Sequence, residues 1–205
     1  MPLSLLISIA GLFLFGWIAE EVVKDHTQRF DSAIRGWVHQ FSSPAMTTAA
    51  KTASWIGEYG VIIALALALV LFLAFGWRRA ALWLAVTQAG ALVLNLSLKY
   101  AFHRPRPTPF FGSLPHTYSF PSGHALFSFC FYGVLAGLLV DRIRSRMART
   151  LIWIASSALI AAIGLSRIYL GVHYPTDVVG GYLTAAIWVS SMITFDRLRT
   201  RERTA

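Results

Sequence analysis

Three short stretches hold most of the side chains in this sequence that can do chemistry. The most telling is Ser166-Arg167-Ile-Tyr-Leu-Gly-Val-His173-Tyr-Pro-Thr-Asp177. A carboxylate that bonds one imidazole nitrogen fixes the tautomer and leaves the other nitrogen free as a nucleophile. Asp177 stands four residues beyond His173, and Arg167 adds a cation. Alone, Asp177 would read as a helix N-cap and His173 as a structural histidine. A second stretch is Ser119-Phe-Pro121-Ser122-Gly123-His124. Ser122 is a natural N-cap behind a proline, and the free N–H groups of a helix N-terminus attract anions. Gly123 lets an anion approach the backbone closely. Capping explains Ser122 but leaves His124 in the first turn unexplained. The third stretch, first in chain order, is Lys99-Tyr-Ala-Phe-His-Arg-Pro-Arg106-Pro107. Arg106 can grip two oxygens through its fork, and Lys99 acts as a point charge. Pro105, Pro107 and Pro109 stop the preceding helix and stiffen the loop that carries these cations.

Brought together, the stretches would supply three fixed cations (Lys99, Arg106, Arg167), backbone donors at Ser122 and Gly123, and two histidines. That inventory suits phosphoryl transfer, where charge develops on equatorial oxygens and needs fixed positive groups. Asp177 is the only carboxylate in the three stretches, too few for a magnesium site. His103, His116 and His124 match no familiar zinc spacing. Neither a metal nor another cofactor is therefore expected.

The elements that must position these residues follow from composition. Of 205 residues, 56% are hydrophobic and 13% charged, with a mean hydropathy of +0.59. Soluble domains carry about 25% charged residues. A spanning helix needs ~20 mainly apolar residues to cross ~30 Å of hydrocarbon. Six windows lack Asp, Glu, Lys and Arg: Met1 to Ala19, Tyr59 to Trp77, Ala80 to Leu98, Ala125 to Val140, Thr150 to Leu165 and Val178 to Phe195. Helix is the only sensible reading, because an open strand edge cannot be satisfied in lipid. The first window lacks a basic flank and a small-x-small cleavage site, so it reads as a retained helix rather than a signal peptide. Between the first two windows, Phe30, Ile34, Trp37, Val38 and Phe41 recur at helical spacing, which predicts a short amphipathic helix at the interface, packed on the bundle. The expected fold is all-α: one integral membrane bundle of six transmembrane helices over residues 1–205, with its motif core at 99–177. A charged, loosely ordered tail is expected from Asp196 to Ala205.

The net charge of +9 has no basic run interleaved with aromatics, which argues against nucleic acid. The basic residues instead sit between apolar segments. Arg78 and Arg79, then Arg142, Arg144, Arg146 and Arg149, then Arg197, Arg199, Arg201 and Arg203 share one side of a six-span chain. The positive-inside rule makes that side, and both termini, cytoplasmic. All six histidines fall on the opposite, periplasmic or extracellular side. The lone Cys130 lies in an apolar run and reads as a small core residue.

The three stretches resemble the signature of the type-2 phosphatidic acid phosphatases, relatives of the vanadium haloperoxidases. That signature is Lys-x6-Arg-Pro, Pro-Ser-Gly-His and Ser-Arg-x5-His-x3-Asp. Here it runs from Lys99 to Arg106-Pro107, through Pro121-Ser122-Gly123-His124, to Ser166-Arg167, His173 and Asp177, with every spacing matched. The resemblance implies that His173 forms a phosphohistidine and that Asp177 orients it. It implies that His124 protonates the leaving oxygen and then activates water. Lys99, Arg106, Ser122, Gly123 and Arg167 would bind phosphate. The substrates implied are lipid phosphates or lipid pyrophosphates such as undecaprenyl pyrophosphate, phosphatidylglycerophosphate or phosphatidic acid, in a bacterial inner membrane. Vanadate should inhibit. Arg104 lies outside the signature and reads as a supporting charge. Two other readings share the residues: a lipid or anion transporter using Thr87, Gln88 and Asn95 inside a span, and a haloperoxidase. The sequence leaves the oligomeric state and the particular lipid open.

Overall fold

The computed structural model describes residues 3–202, with side chains to residue 199. The helices are α1 (Leu3–Val23), α2 (Gln28–His39), α3 (Pro44–Ala74), α4 (Arg78–Phe102), α5 (Gly123–Val140), α6 (Arg146–Tyr169) and α7 (Pro175–Glu202). No strand occurs among the described residues. All but α2 are long and apolar enough to cross a membrane. Leu12, Phe13, Trp17, Ile62, Leu67 and Leu92 face outward, as side chains bathed in lipid should.

Helix ends follow local chemistry. Ser43 caps α3, its Oγ accepting from the Met46 N–H at 3.2 Å, with Pro44 in the first turn. Ser145 caps α6 in the same way through the Ala148 N–H at 3.3 Å. His103 closes α4 in the left-handed region at φ 46°. Pro105 and Pro107 follow it and prevent the helix from continuing.

Two expectations change. The second span begins at Pro44, not Tyr59, and runs 31 residues. At 1.5 Å per residue that is about 46 Å, well beyond the hydrocarbon thickness. The Ser43–Pro44 start signal outweighs Lys51 and Glu58, because the added turns pack on α6 instead of crossing lipid. The charged end also differs: α7 stays helical to Glu202, and residues 203–205 lie outside the described residues. Both α3 and α5 contain a wider π-helical turn, at Ile56–Gly60 and Phe129–Gly133. Tyr132 in the second donates its hydroxyl to the Ile56 carbonyl in the first at 3.4 Å.

α5 is the central strut, packed by α3, α4, α6 and α7, while α1 lies along α7. The basic segments gather at one end. Arg79 pairs with Asp196 at 2.6 Å, Arg142 lies over the Trp77 ring at 4.0 Å, and Ser4 bonds Thr194 at 2.8 Å. The three chemical stretches occupy the other end. Small residues let them meet: a Cβ on Gly181 of α7 would sit 2.5 Å from the Ser122 carbonyl oxygen and 2.9 Å from the Ala125 Cβ. Gly181→Ala should therefore cost about 1–3 kcal/mol through overpacking. Gly16→Ala, with open space around it, is the matched control. Thermal denaturation in detergent should show a lower midpoint for the first and an unchanged one for the second.

Candidate functional site

His173 sits in the tight loop between α6 and α7, 1% exposed. The loop turns at Gly171, whose φ of 78° suits glycine. Its walls are zipped to the loop after α4 by the Phe110 and Phe111 N–H groups, which donate to the Leu170 carbonyl at 3.0 and 3.2 Å. Asp177 lies in the first turn of α7, and its Oδ2 accepts from the Tyr174 N–H at 2.9 Å, a capping role. The same oxygen is 3.1 Å from His173 Nδ1. Nδ1 therefore carries the proton, and the lone pair of Nε2 points away from Asp177. Arg106 donates to that Nε2 at 2.9 Å, and also to the Val172 and Thr117 carbonyls at 2.8 and 2.6 Å.

Burial holds the imidazole of His173 well below its ordinary value, and the cations Arg106, Arg167 and Lys99 push the same way. The ring is neutral at neutral pH, with an unprotonated Nε2 that accepts from Arg106. Arg106 is itself lowered by burial but remains a cation, as arginine does throughout the biological range.

The other signature residues converge on the same space. Lys99, in the last turn of α4, donates to the Tyr118 carbonyl. Arg167 donates to Ser54 Oγ of α3, and its Nε is buried without a partner. Ser122 Oγ, His124 Nε2 and Asn95 Oδ1 are likewise buried and unpartnered. Ser122 occupies the cap position of α5, yet its hydroxyl makes no capping bond. Its backbone N–H donates instead to the Asp177 carbonyl at 2.9 Å, joining the second stretch to the third. A Cβ at Gly123 would lie 3.1 Å from Asn95 Oδ1, which is why glycine fits there. Buried polar atoms without partners are costly, and a cluster of them beside three cations marks a place built for a polar ligand.

A cavity of about 750 Å³ begins among Lys99, Arg106, His124, Arg167 and His173. It continues between α3 and α4 along Val61, Leu65 and Leu69 on one side and Ala85, Ala89 and Leu92 on the other. Among the described residues no three His, Cys, Asp or Glu side chains cluster closely enough to hold a metal.

Several site residues carry no sequence signal. Arg104 is more than a supporting charge. It is 7% exposed and donates to Asp177 Oδ1 at 2.7 Å, Asp31 Oδ2 at 2.8 Å, Thr176 Oγ1 at 2.8 Å and Thr27 Oγ1 at 2.9 Å. Burial alone would lower the guanidinium, but Asp177 and Asp31 outweigh it and raise it. Asp31 comes from α2, which thus packs by its polar face. Asp31 is fully buried while Phe30 and Trp37 point outward. Arg35, one turn on, donates to the Thr108 and Gly171 carbonyls at 2.8 and 3.2 Å. The amphipathic helix packs on the bundle as expected, through Val38, and its polar face also clamps both site loops. Of the in-span polar residues, Gln88 bonds the Phe127 carbonyl of α5 at 3.3 Å and Thr87 bonds its own helix, while Asn95 faces the site. The structural role read for Cys130 fits its complete burial.

Fold and site together define a membrane-embedded helical bundle with a histidine–aspartate pair in a cationic pocket. The family model of the PAP2 superfamily matches residues 80–201, and the chain belongs to that superfamily. Phosphatidylglycerophosphatase B of Bacillus subtilis is 39% identical over 93 residues, which covers 44% of this chain and 45% of that protein. An undecaprenyl-diphosphatase of Sulfolobus acidocaldarius is 31% identical over 119 residues, covering 55% and 53%. The chain thus spans about half the length of these curated relatives. A solved transmembrane PAP2-type phosphatidylglycerolphosphate phosphatase from Bacillus subtilis superposes with a TM-score of 0.81 at 25% identity, covering 93% of this chain and 96% of that one.

Removing Arg104 would leave two fully buried carboxylates facing each other. Arg104→Met should destabilise the protein by about 3–5 kcal/mol, the usual cost of breaking a buried pair from one side. Denaturant titration in micelles reads this as a lower transition midpoint.

Proposed function

We propose that this protein is a metal-independent phosphatase of lipid phosphates or lipid pyrophosphates, working through a phosphohistidine. The observation that carries this reading is His173: its Nδ1 is held by Asp177 at 3.1 Å, and its Nε2 lone pair faces the cationic pocket beside Arg106. A phosphoryl group seated on Lys99, Arg106 and Arg167, with the Gly123 N–H and the Ser122 hydroxyl donating in place of the Ser122 N–H that Asp177 holds, would place phosphorus in reach of that lone pair. Nε2 attacks, the N–P bond forms, and the P–O bond to the lipid breaks. His124 gives a proton to the leaving oxygen; it then takes one from an incoming water whose oxygen bonds to phosphorus as the N–P bond breaks, freeing Nε2 and releasing phosphate.

The lipid part of the reading is supported by the apolar arm of the cavity. Its rim residues Ile62 and Leu92 face outward, so a substrate can enter sideways from the bilayer with its chain between α3 and α4. The curated relatives named above act, by name, on a phosphatidylglycerophosphate and an undecaprenyl diphosphate. The basic end of the bundle supports a cytoplasmic location for both termini, with the site on the outer face of a bacterial inner membrane.

His173→Ala should lower phosphate release by about a thousandfold or more, since the covalent route is lost. Undiminished turnover would remove His173 as nucleophile. The acid limb of kcat/KM reports the free enzyme. Because His173 is held below 6.5, its neutral form persists as pH falls through that value. The limb should accordingly lie well under pH 6.5, and a limb at or above 6.5 contradicts the assignment. Sidedness is read by cysteine labelling in intact cells. Cysteine in place of His116 should react with an impermeant maleimide, and cysteine in place of Arg144 only after lysis.

A further inference from the structure

The π-helical turn of α3 carries a carboxylate that none of the three motif stretches contains. We propose that Glu58 is a positioning residue for His124, holding the proton on its Nε2 and so keeping the ring charged for leaving-group departure. This deepens the phosphatase reading and rests on it.

Glu58 Oε2 lies 3.5 Å from His124 Nε2, and that nitrogen is buried with no hydrogen bond of its own. The wide turn at Ile56–Gly60 creates the contact. Gly57, the residue before Glu58, forms the seat of the ring: a Cβ there would lie 3.2 Å from His124 Cδ2 and 2.4 Å from Ile163 Cγ2. Only a residue without a side chain lets α3 come this close to the imidazole. Mid-helix π turns are often found at functional sites.

The charges facing this space make the role specific. Lys99, Arg106 and Arg167 all line the cavity with His124, and each repels a proton on its ring. His173 also faces it, but its carboxylate partner Asp177 is committed to His173 and to Arg104. Glu58 is the remaining carboxylate on the cavity wall among the described residues. It offsets the cationic field at the one histidine that must be charged to act as an acid.

Position along the cavity points the same way. Val61, Leu65 and Leu69 begin the apolar arm within one turn beyond Glu58 on the same helix, and the phosphate-binding cations lie on the other side. The bond to be broken in a lipid phosphate joins those two regions. With Nε2 directed at Glu58, Nδ1 is the nitrogen left to reach the ester oxygen. The proton passes from His124 to that oxygen as the P–O bond breaks and the bond to His173 forms. Glu58 stays ionised throughout.

The test compares kcat/KM for two substrates, a short-chain phosphatidate and p-nitrophenyl phosphate, in wild type and Glu58→Gln. The alkyl ester needs a proton on its leaving oxygen, while nitrophenolate leaves without one. General acid catalysis contributes about a hundredfold or more, so Glu58→Gln should lose at least about tenfold on phosphatidate and less than about twofold on the aryl ester. A merely structural residue would lower both alike, and equal losses, or no loss, overturn the proposal. Glu58→Asp keeps the charge and should hold the wild-type ratio of the two rates within about threefold. A ratio shifted as far as in the glutamine variant also overturns it. A wild-type protein that hydrolyses neither ester defeats the phosphatase reading and this role with it. Hydrolysis of both with an unchanged ratio in Glu58→Gln defeats the role of Glu58 alone.

Discussion

One guanidinium holds the working end of this molecule together. Arg104 lies between Asp31 and Asp177, both with no exposed surface, and each ion pair is under 3 Å. Burying such charges is expensive, and the geometry must be nearly ideal for their attraction to offset desolvation. Here the two terminal nitrogens of Arg104 make four hydrogen bonds. Asp31 also accepts from the Thr176 N–H at 3.0 Å and its hydroxyl at 2.7 Å, and Asp177 also accepts from Tyr174 and His173. The network links α2, the loop after α4 and the start of α7, segments far apart in the chain. It sets where Asp177 stands, and Asp177 sets which nitrogen of His173 is bare.

Around that anchored pair the site works by opposites. On the side away from Asp177, polar groups are left without a hydrogen bond: Arg167 Nε, Ser122 Oγ and Asn95 Oδ1. Three cations share the same small space, which is stable only because each also holds a fixed acceptor such as the Tyr118, Thr117 and Val172 carbonyls or the Ser54 hydroxyl. A dianionic phosphoryl group relieves both strains at once. The apolar arm between α3 and α4 adds a different selection, by hydrophobic area and not by charge. On the proposed function, head group and tail would be recognised by separate physics in one continuous cavity.

The helix α2 joins these features to the membrane surface. Its polar face grips Arg104 and the two site loops, while Phe30 and Trp37 face outward. An amphipathic pattern says that a helix has two faces. Which side chains turn inward depends on what the rest of the protein offers, and here it offers a buried cation and loop carbonyls beside the apolar seat of Val38.

Much of this was legible in the linear order of residues. Charge-free windows of sufficient length dictate spanning helices, because lipid cannot satisfy free backbone groups. The motif spacing puts Asp177 only four residues beyond His173, close enough for a contact across the start of α7. Lys99, Arg106, Ser122, Gly123, His124 and Arg167 could be nominated from residue type and from their common side of the membrane. Tertiary structure alone decided the rest. Asp31 and Arg104 are 73 residues apart, and Glu58 approaches His124 from a helix whose start lay hidden in what read as an outer loop. Such contacts have no local period or spacing to betray them. They arise from how helices cross, from glycines that let two backbones touch, and from a π turn that rotates one carboxylate toward one histidine.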